Sequence, residues 1–193
     1  DYDNAAEYFN KPVKGEYSIL YKNNGDGTFT DITKEMNMQV AMTVMGLSFG
    51  DLDNDGWMDI YSGTGTPNYT SLVPKRMFRN NEGKSYQDIT HSGGFGHLQK
   101  GHGIGFGDVD NDGDQDVYED MGGGYEGDGF QGAFYENPGI SGNNWVSLQL
   151  VGVKANKSAM GSKVKITVEN ADKSTRDIYV EVTNGGSFGV NSN

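Results

Sequence analysis

The sequence predicts an all-β protein: a partial β-propeller of short blades, followed by a small antiparallel β domain. Three observations carry this. A unit of 57 residues recurs along the chain without a gap. Glycine supplies 30 of 193 residues at a mean hydropathy of −0.66, which favours tight turns and thin local cores over long helices. After Gly139, apolar and polar residues alternate in several segments, as in an antiparallel sheet with one wet face.

The repeat is read directly. Leu20-Tyr21-Lys22-Asn23-Asn24 answers to Met77-Phe78-Arg79-Asn80-Asn81, and Asp31-Ile32-Thr33 to Asp88-Ile89-Thr90, each 57 residues on. Gly46–Gly50 answers to Gly103–Gly107, and a third copy opens at Phe134-Tyr135-Glu136-Asn137. Within a unit, Asn24-Gly25-Asp26-Gly27 predicts a hairpin turn, because Asn and Gly accept positive φ. Tyr21 and Phe29 flank it as strand aromatics. Strands are then expected at Val44–Phe49 and Asp59–Tyr61, and again at Ile104–Phe106 and Asp116–Tyr118, with segments 34–42 and 91–100 open between short helix and loop.

Units of this length with about four short strands have the size of propeller blades, and one blade cannot bury both faces without neighbours. Residues 1–19 are expected to end a preceding blade, 20–76 and 77–133 to form two blades, and 134–140 to begin another repeat or a linker. Two full units do not close a ring, so a longer chain or further copies are expected to complete it. Residues 141–193 form the small β domain, with strands expected at Trp145–Leu150, Val164–Val168 and Ile178–Val182. Its pattern stops abruptly at Gly189-Val190-Asn191, as a truncated domain would.

Two acidic loops sit at the same place in the repeat. Asp51, Asp53, Asp55 and Asp59 occupy loop positions 1, 3, 5 and 9, and Asp108, Asp110, Asp112 and Asp116 occupy the same four. Glycine stands at position 6 in both, as Gly56 and Gly113, where a coiled loop must bend sharply. Position 7 offers a backbone carbonyl, from Trp57 or Asp114. Carboxylates this close repel one another without a cation. Hard oxygen donors in this number suit Ca²⁺ better than Mg²⁺, which keeps its waters, or zinc, which prefers N and S. The bland alternative is a solvated acidic turn, and recurrence of the loop argues against it. An EF-hand would need Glu at position 12 and flanking helices; position 12 is Ser62 in one loop and Glu119 in the other, and the flanks are glycine-rich. Glu119 therefore reads as a strand residue, and the loops as strand-flanked.

Phe49-Gly50-Asp51-Leu-Asp53-Asn-Asp55-Gly56-Trp-Met-Asp59 and Phe106-Gly107-Asp108-Val-Asp110-Asn-Asp112-Gly113-Asp-Gln-Asp116 resemble FG-GAP/VCBS repeats, the blades of integrin-like β-propellers. The hairpin Tyr21–Phe29 is similar to theirs as well, and the VCBS subtype fits better than the integrin one. The resemblance covers about residues 1–139 and implies Ca²⁺ held by the loop aspartates. Asn144-Trp145-Val-Ser-Leu-Gln-Leu-Val-Gly152, Asn156-Lys-Ser158, Gly161-Ser-Lys-Val164 and Gly185-Gly-Ser-Phe-Gly189 resemble an ASPIC/UnbV domain, with Ser162 where that family usually has Ala. Proteins of this kind are secreted or surface-exposed.

The remaining features narrow the function. A net charge of −12, or −8 with two Ca²⁺ bound, argues against nucleic-acid partners. There is no cysteine, which removes disulfides, zinc thiolates and cysteine nucleophiles, and no apolar run approaches membrane-spanning length. His91, His97 and His102 share no metal-ligand spacing, and Gly101–Gly107 reads as a close-packed strand, not a nucleotide loop. Asn68-Tyr-Thr70 and Asn156-Lys-Ser158 are glycosylation sequons. Tyr69, Tyr125 and Phe130 lie on loops that could stack on sugars or pack on a protein. The expectation is a non-enzymatic, extracellular module with two structural Ca²⁺, serving adhesion or binding of a protein or glycan through blade loops. A self-assembling subunit of an extracellular filament or matrix is the second expectation, and an accessory domain of a polysaccharide-active enzyme the third.

Overall fold

A computed structural model describes residues 16–66, 73–123, 126–139, 142–154 and 156–183. All regular structure in them is β, in small antiparallel sheets, and no helix occurs among the described residues. The strands are β1 (Tyr21–Asn23), β2 (Phe29–Asp31), β3 (Val44–Gly50), β4 (Asp59–Thr64), β5 (Arg76–Asn81), β6 (Ser85–Asp88), β7 (Gly101–Gly107), β8 (Asp116–Met121), β9 (Ala133–Tyr135), β10 (Lys163–Glu169) and β11 (Thr175–Glu181). They form a β1–β2 hairpin, a four-stranded sheet β3-β4-β5-β6, a three-stranded sheet β7-β8-β9 and a β10–β11 hairpin.

The repeat is visible in the backbone. Ile32 N–H donates to Leu20 O at 3.0 Å, and Ile89 N–H to Met77 O at 2.9 Å. Leu20 N–H donates to Thr33 Oγ1 at 2.9 Å, and Met77 N–H to Thr90 Oγ1 at 3.0 Å. The segments left open between helix and loop are turns. Met36 N–H reaches Ile32 O and Met38 N–H reaches Thr33 O, and Gly93 and Phe95 repeat both bonds to Ile89 and Thr90. The sheets, however, are out of phase with the sequence units. Each takes its first two strands from one unit and extends into the next, and the boundary drawn at 76/77 falls inside β5.

Strand β4 is buried at all six residues because both faces of its sheet are covered. Side chains alternate across a strand, so Ile60 and Phe78 go to one face and Tyr61 and Met77 to the other. Ile60 and Phe78 pack with Met36, Met38 and Tyr86 under the turn that follows β2. Tyr61 and Met77 pack with Leu52 of the first acidic loop and with Ile104 and Val117 of the next sheet. The two sheets approach closely at glycine: a Cβ on Gly63 would lie 2.7 Å from Gly101 O. The glycine run 101–107 is therefore strand β7, packed against its neighbour.

A buried ion pair sits in that interface. Lys75 and Glu119 are both fully buried, with Nζ 3.4 Å from Oε1. The Tyr61 hydroxyl lies 2.9 Å from Glu119 Oε2, and Lys75 Nζ donates to Thr64 O at 3.4 Å. Burial lowers the Lys75 pKa and raises that of Glu119, while each charge opposes the shift in the other. Glu119 is thus a strand residue of β8.

The C-terminal part differs from expectation in one respect. The segments around Val164 and Ile178 pair in register as β10 and β11, but Trp145–Leu150 makes no strand. Alternation alone does not make a ladder; a neighbouring edge must accept it, and Trp145 lies against Gly113 of the second acidic loop instead. Its side chains Trp145, Val146 and Leu148 are exposed. Residues 1–15, the sequon 68–70 with Tyr69, Tyr125 and the Gly185–Gly189 stretch lie outside the described residues.

Replacing Glu119 alone with Ala should cost about 3–5 kcal/mol in urea unfolding, because it strands the Lys75 charge in the core. The double change Lys75→Met, Glu119→Leu should recover most of that loss.

Candidate metal centre

Each acidic loop joins the first two strands of a sheet: the first connects β3 to β4, the second β7 to β8. Their backbones match. Position 4 is left-handed in both, at Asn54 (φ 52°) and Asn111 (φ 64°), as is position 6, at Gly56 (φ 82°) and Gly113 (φ 97°). Asn tolerates this conformation and Gly adopts it freely. The position-1 carboxylate holds the coil from inside. Asp51 accepts from Asp55 N–H at 3.0 Å and Gly56 N–H at 2.8 Å, and Asp108 accepts from Asp112 and Gly113, both at 3.1 Å.

Position 9 has a different task. Asp59 Oδ2 accepts from Leu52 N–H at 2.9 Å and Oδ1 from Asn80 N–H at 2.7 Å. Asp116 repeats this with Val109 N–H at 3.0 Å and Asn137 N–H at 2.9 Å. Each carboxylate clasps the start of its own loop to the strand or segment that opens the next unit.

The structure brings Asp51, Asp53 and Asp59 together, with one carboxylate oxygen from each within 4.8 Å of the others, and likewise Asp108, Asp110 and Asp112. Of the remaining expected carboxylates, Asp55 Oδ1 is engaged by Trp57 N–H at 2.8 Å, and Asp116 by the two backbone donors above. Both groups can hold a metal ion. In the first, Asp53 is 3% exposed and its Oδ1 is buried without a hydrogen-bond partner. A buried carboxylate oxygen with no donor is costly unless a cation completes it, so the residues fit a hard cation.

The two groups differ electrically. Asp53 Oδ2 is bound by the Arg79 guanidinium through Nε at 2.6 Å and through Nη2. The residue 57 positions after Arg79 is Glu136. The first site is thus buried and partly neutralised, while the second is exposed at Asp108, Asp110 and Asp112. Burial, with the Asp55 and Asp53 charges, pushes Asp51 up to about 6 against the pull of its backbone donors. Burial also pushes Asp59 up to about 7, with Asp53 and Asp51 adding to it.

The loops touch each other. Asp51 N–H donates to Gln115 Oε1 at 2.8 Å, and Asn54 Nδ2 donates to Gly113 O at 3.1 Å and Asp114 Oδ1 at 2.5 Å. Asn137 Nδ2 reaches back to Leu52 O at 2.7 Å. Beside the first loop lies a cleft of about 680 Å³, lined by Trp57, Arg79, Asn81, Asn143, Asp172 and Arg176 among others. Neither this contact nor Arg79 was legible in the loop pattern, because both depend on which units become neighbours. The histidines form no metal group among the described residues; His97 stands edge-on to Phe130 at 5.5 Å. The Asn156 side chain is engaged with the Met160 backbone.

Asp59→Ala should destabilise the protein by about 3 kcal/mol even in chelator, since it leaves the Leu52 and Asn80 N–H groups without their acceptor. A second outcome concerns pH. Both raised pKa values exceed the ordinary 3.8, so the folded state holds more protons than the unfolded between about pH 4 and 7. Stability contributed by these groups therefore falls as pH rises through that window. In chelator the urea midpoint should be higher at pH 5 than at pH 7.5, and saturating Ca²⁺ should cancel the difference.

Comparison with known families places an FG-GAP-like repeat at residues 13–62, a span that ends just after the first acidic loop. No curated protein matches the chain.

Proposed function

We propose that this chain is a non-catalytic, extracellular calcium-binding module of FG-GAP/VCBS type, whose sheets serve as blades of a larger propeller. The observation that carries the reading is the orphaned, buried Asp53 Oδ1 beside Asp51 and Asp59. Asp51, Asp53, Asp55, Asp59 and the Trp57 carbonyl would hold one Ca²⁺; Asp108, Asp110, Asp112, Asp116 and the Asp114 carbonyl would hold the other. The ion supplies charge neutralisation within each loop, and the protein supplies oxygen donors on a prebuilt coil. The role is structural: it holds two close-packed sheets in a fixed relation, so that loops at one end present a surface for a protein or glycan partner. The tail is read as an ASPIC/UnbV-like domain.

A second reading, a subunit of an extracellular filament or matrix, is favoured by one observation. Val146, Leu148, Val151 and Val153 are exposed on a segment that joins no strand ladder among the described residues, which a neighbouring copy could cover.

Extracellular Ca²⁺ sites commonly have Kd of about 10⁻⁴–10⁻³ M, and at ten times Kd each site stabilises by about 1.4 kcal/mol. Chelator should lower Tm, Ca²⁺ should restore it, and Mg²⁺ should do so poorly. Asp53→Asn should abolish most of the shift arising from the first site. A Tm indifferent to chelator and to Ca²⁺ would sink the reading.

A further inference from the structure

The C-terminal part of the chain is anchored on the acidic loops. Asn143 Nδ2 donates to Asp53 O at 2.9 Å. Arg176 Nη2 donates to Asp55 O at 2.5 Å, and its guanidinium lies over the Trp57 ring, 5.2 Å from the centroid. Ile178 and Arg176 cover the Cα face of Gly56: a Cβ there would meet Ile178 Cδ1 at 2.6 Å and Arg176 Nη2 at 2.9 Å. The Trp145 indole covers the same face of Gly113 in the second loop. One glycine at position 6 in each loop is thus a seat for a C-terminal side chain.

Among the described residues, the strands of the other sheets give this part little support. Strands β10 and β11 pair with each other and join no ladder with β1–β9. Among described residues 142–183, Ala159 is the only apolar residue in the buried core. The contacts described above go to loop carbonyls, the loop residue Trp57 and two glycine faces, whose positions depend on the coil of the loop. That coil carries four carboxylates per loop, so its geometry depends on charge neutralisation.

We propose that the two acidic loops act together as a cation-operated latch for the C-terminal hairpin. This rests on the reading of the loops as Ca²⁺ sites, for which Asp53 Oδ1 is the independent sign. With the cation present, the Asp53 and Asp55 carbonyls, the Trp57 ring and the two glycine faces form one platform that seats Asn143, Trp145, Arg176 and Ile178. Without it, carboxylate repulsion loosens the coil and the hairpin leaves. Gln115 and Asn54 tie the loops together, so loading of either site biases the seat on both. The cleft of about 680 Å³ between the first loop and the hairpin turn at Asn170–Asp172 is a closed-state feature, which opens when the latch releases. Coupling is reciprocal, so the docked hairpin tightens cation binding in return.

The chain has no cysteine, which makes a distance measurement clean. Lys84→Cys and Lys173→Cys, both at exposed positions on facing turns, would carry spin labels on the whole chain. In saturating Ca²⁺ the label distance should be short and narrowly distributed; in chelator it should lengthen and broaden. Arg176→Ala with Trp145→Ala should reproduce the chelator distribution in saturating Ca²⁺, and should weaken Ca²⁺ binding by calorimetry about 5-fold or more. Circular dichroism checks that this variant keeps its sheets; Asn143→Ala with Ile178→Ala is the alternative pair if it does not. Calcium heat with an unchanged distance distribution would overturn the latch while leaving the calcium reading intact. No calcium heat would overturn both.

Discussion

The structure depends on a carboxylate that closes each acidic loop between two backbone N–H groups. Asp59 binds Leu52 N–H on its own loop and Asn80 N–H on β5; Asp116 binds Val109 N–H and Asn137 N–H. A backbone N–H on each oxygen fixes three things together: where the loop begins, where β4 or β8 starts, and how the segment that follows is registered against it. The neighbouring asparagine side chains strengthen the knot, Asn80 reaching Met58 O and Asn137 reaching Gln115 O, both at 3.2 Å. This is why the sheet is out of phase with the sequence unit. The clasp joins the end of one unit to the beginning of the next, so the folded sheet straddles the boundary that the repeat defines.

The same clasp places the other carboxylates. With position 9 committed to the backbone, positions 1 and 3 turn inward onto a small volume whose charge must be answered. The two loops answer differently. Arg79 lies on Asp53 in the first, and burial there raises the cost of the ionised form; the second is open to water, and its repeat counterpart of Arg79 is Glu136. One backbone template thus carries two electrostatic environments, which differ in burial and at the repeat position 22/79/136, which reads Lys, Arg, Glu. The buried Lys75–Glu119 pair in the adjoining interface adds a further charge that is satisfied only when the two sheets meet.

Much of this was legible in the sequence. The interval of 57, the hairpin at Asn24–Gly27, strands β3, β4, β7 and β8 and both acidic loops follow from local chemistry: glycine and asparagine where φ is positive, alternation where a strand is half covered, and carboxylates at odd positions of a coil. The Trp145–Leu150 stretch alternates just as clearly and is not a strand, because a ladder also needs a neighbour with free donors and acceptors. Alternation reports that a segment can pair, and says nothing of whether an edge is available.

By itself, then, the sequence determined the β architecture, its period and the places where oxygen donors gather, since each depends on residues close together in the chain. Tertiary structure alone decided the rest. It made Asp59 and Asp116 clasps, set Arg79 on Asp53, joined the loops through Asn54 and Gln115, and seated Arg176 and Trp145 on the position-6 glycines. Those contacts link residues from 7 to 121 positions apart. Most of them exist because two sheets and a hairpin crowd onto the same pair of acidic loops, a crowding that no local pattern encodes.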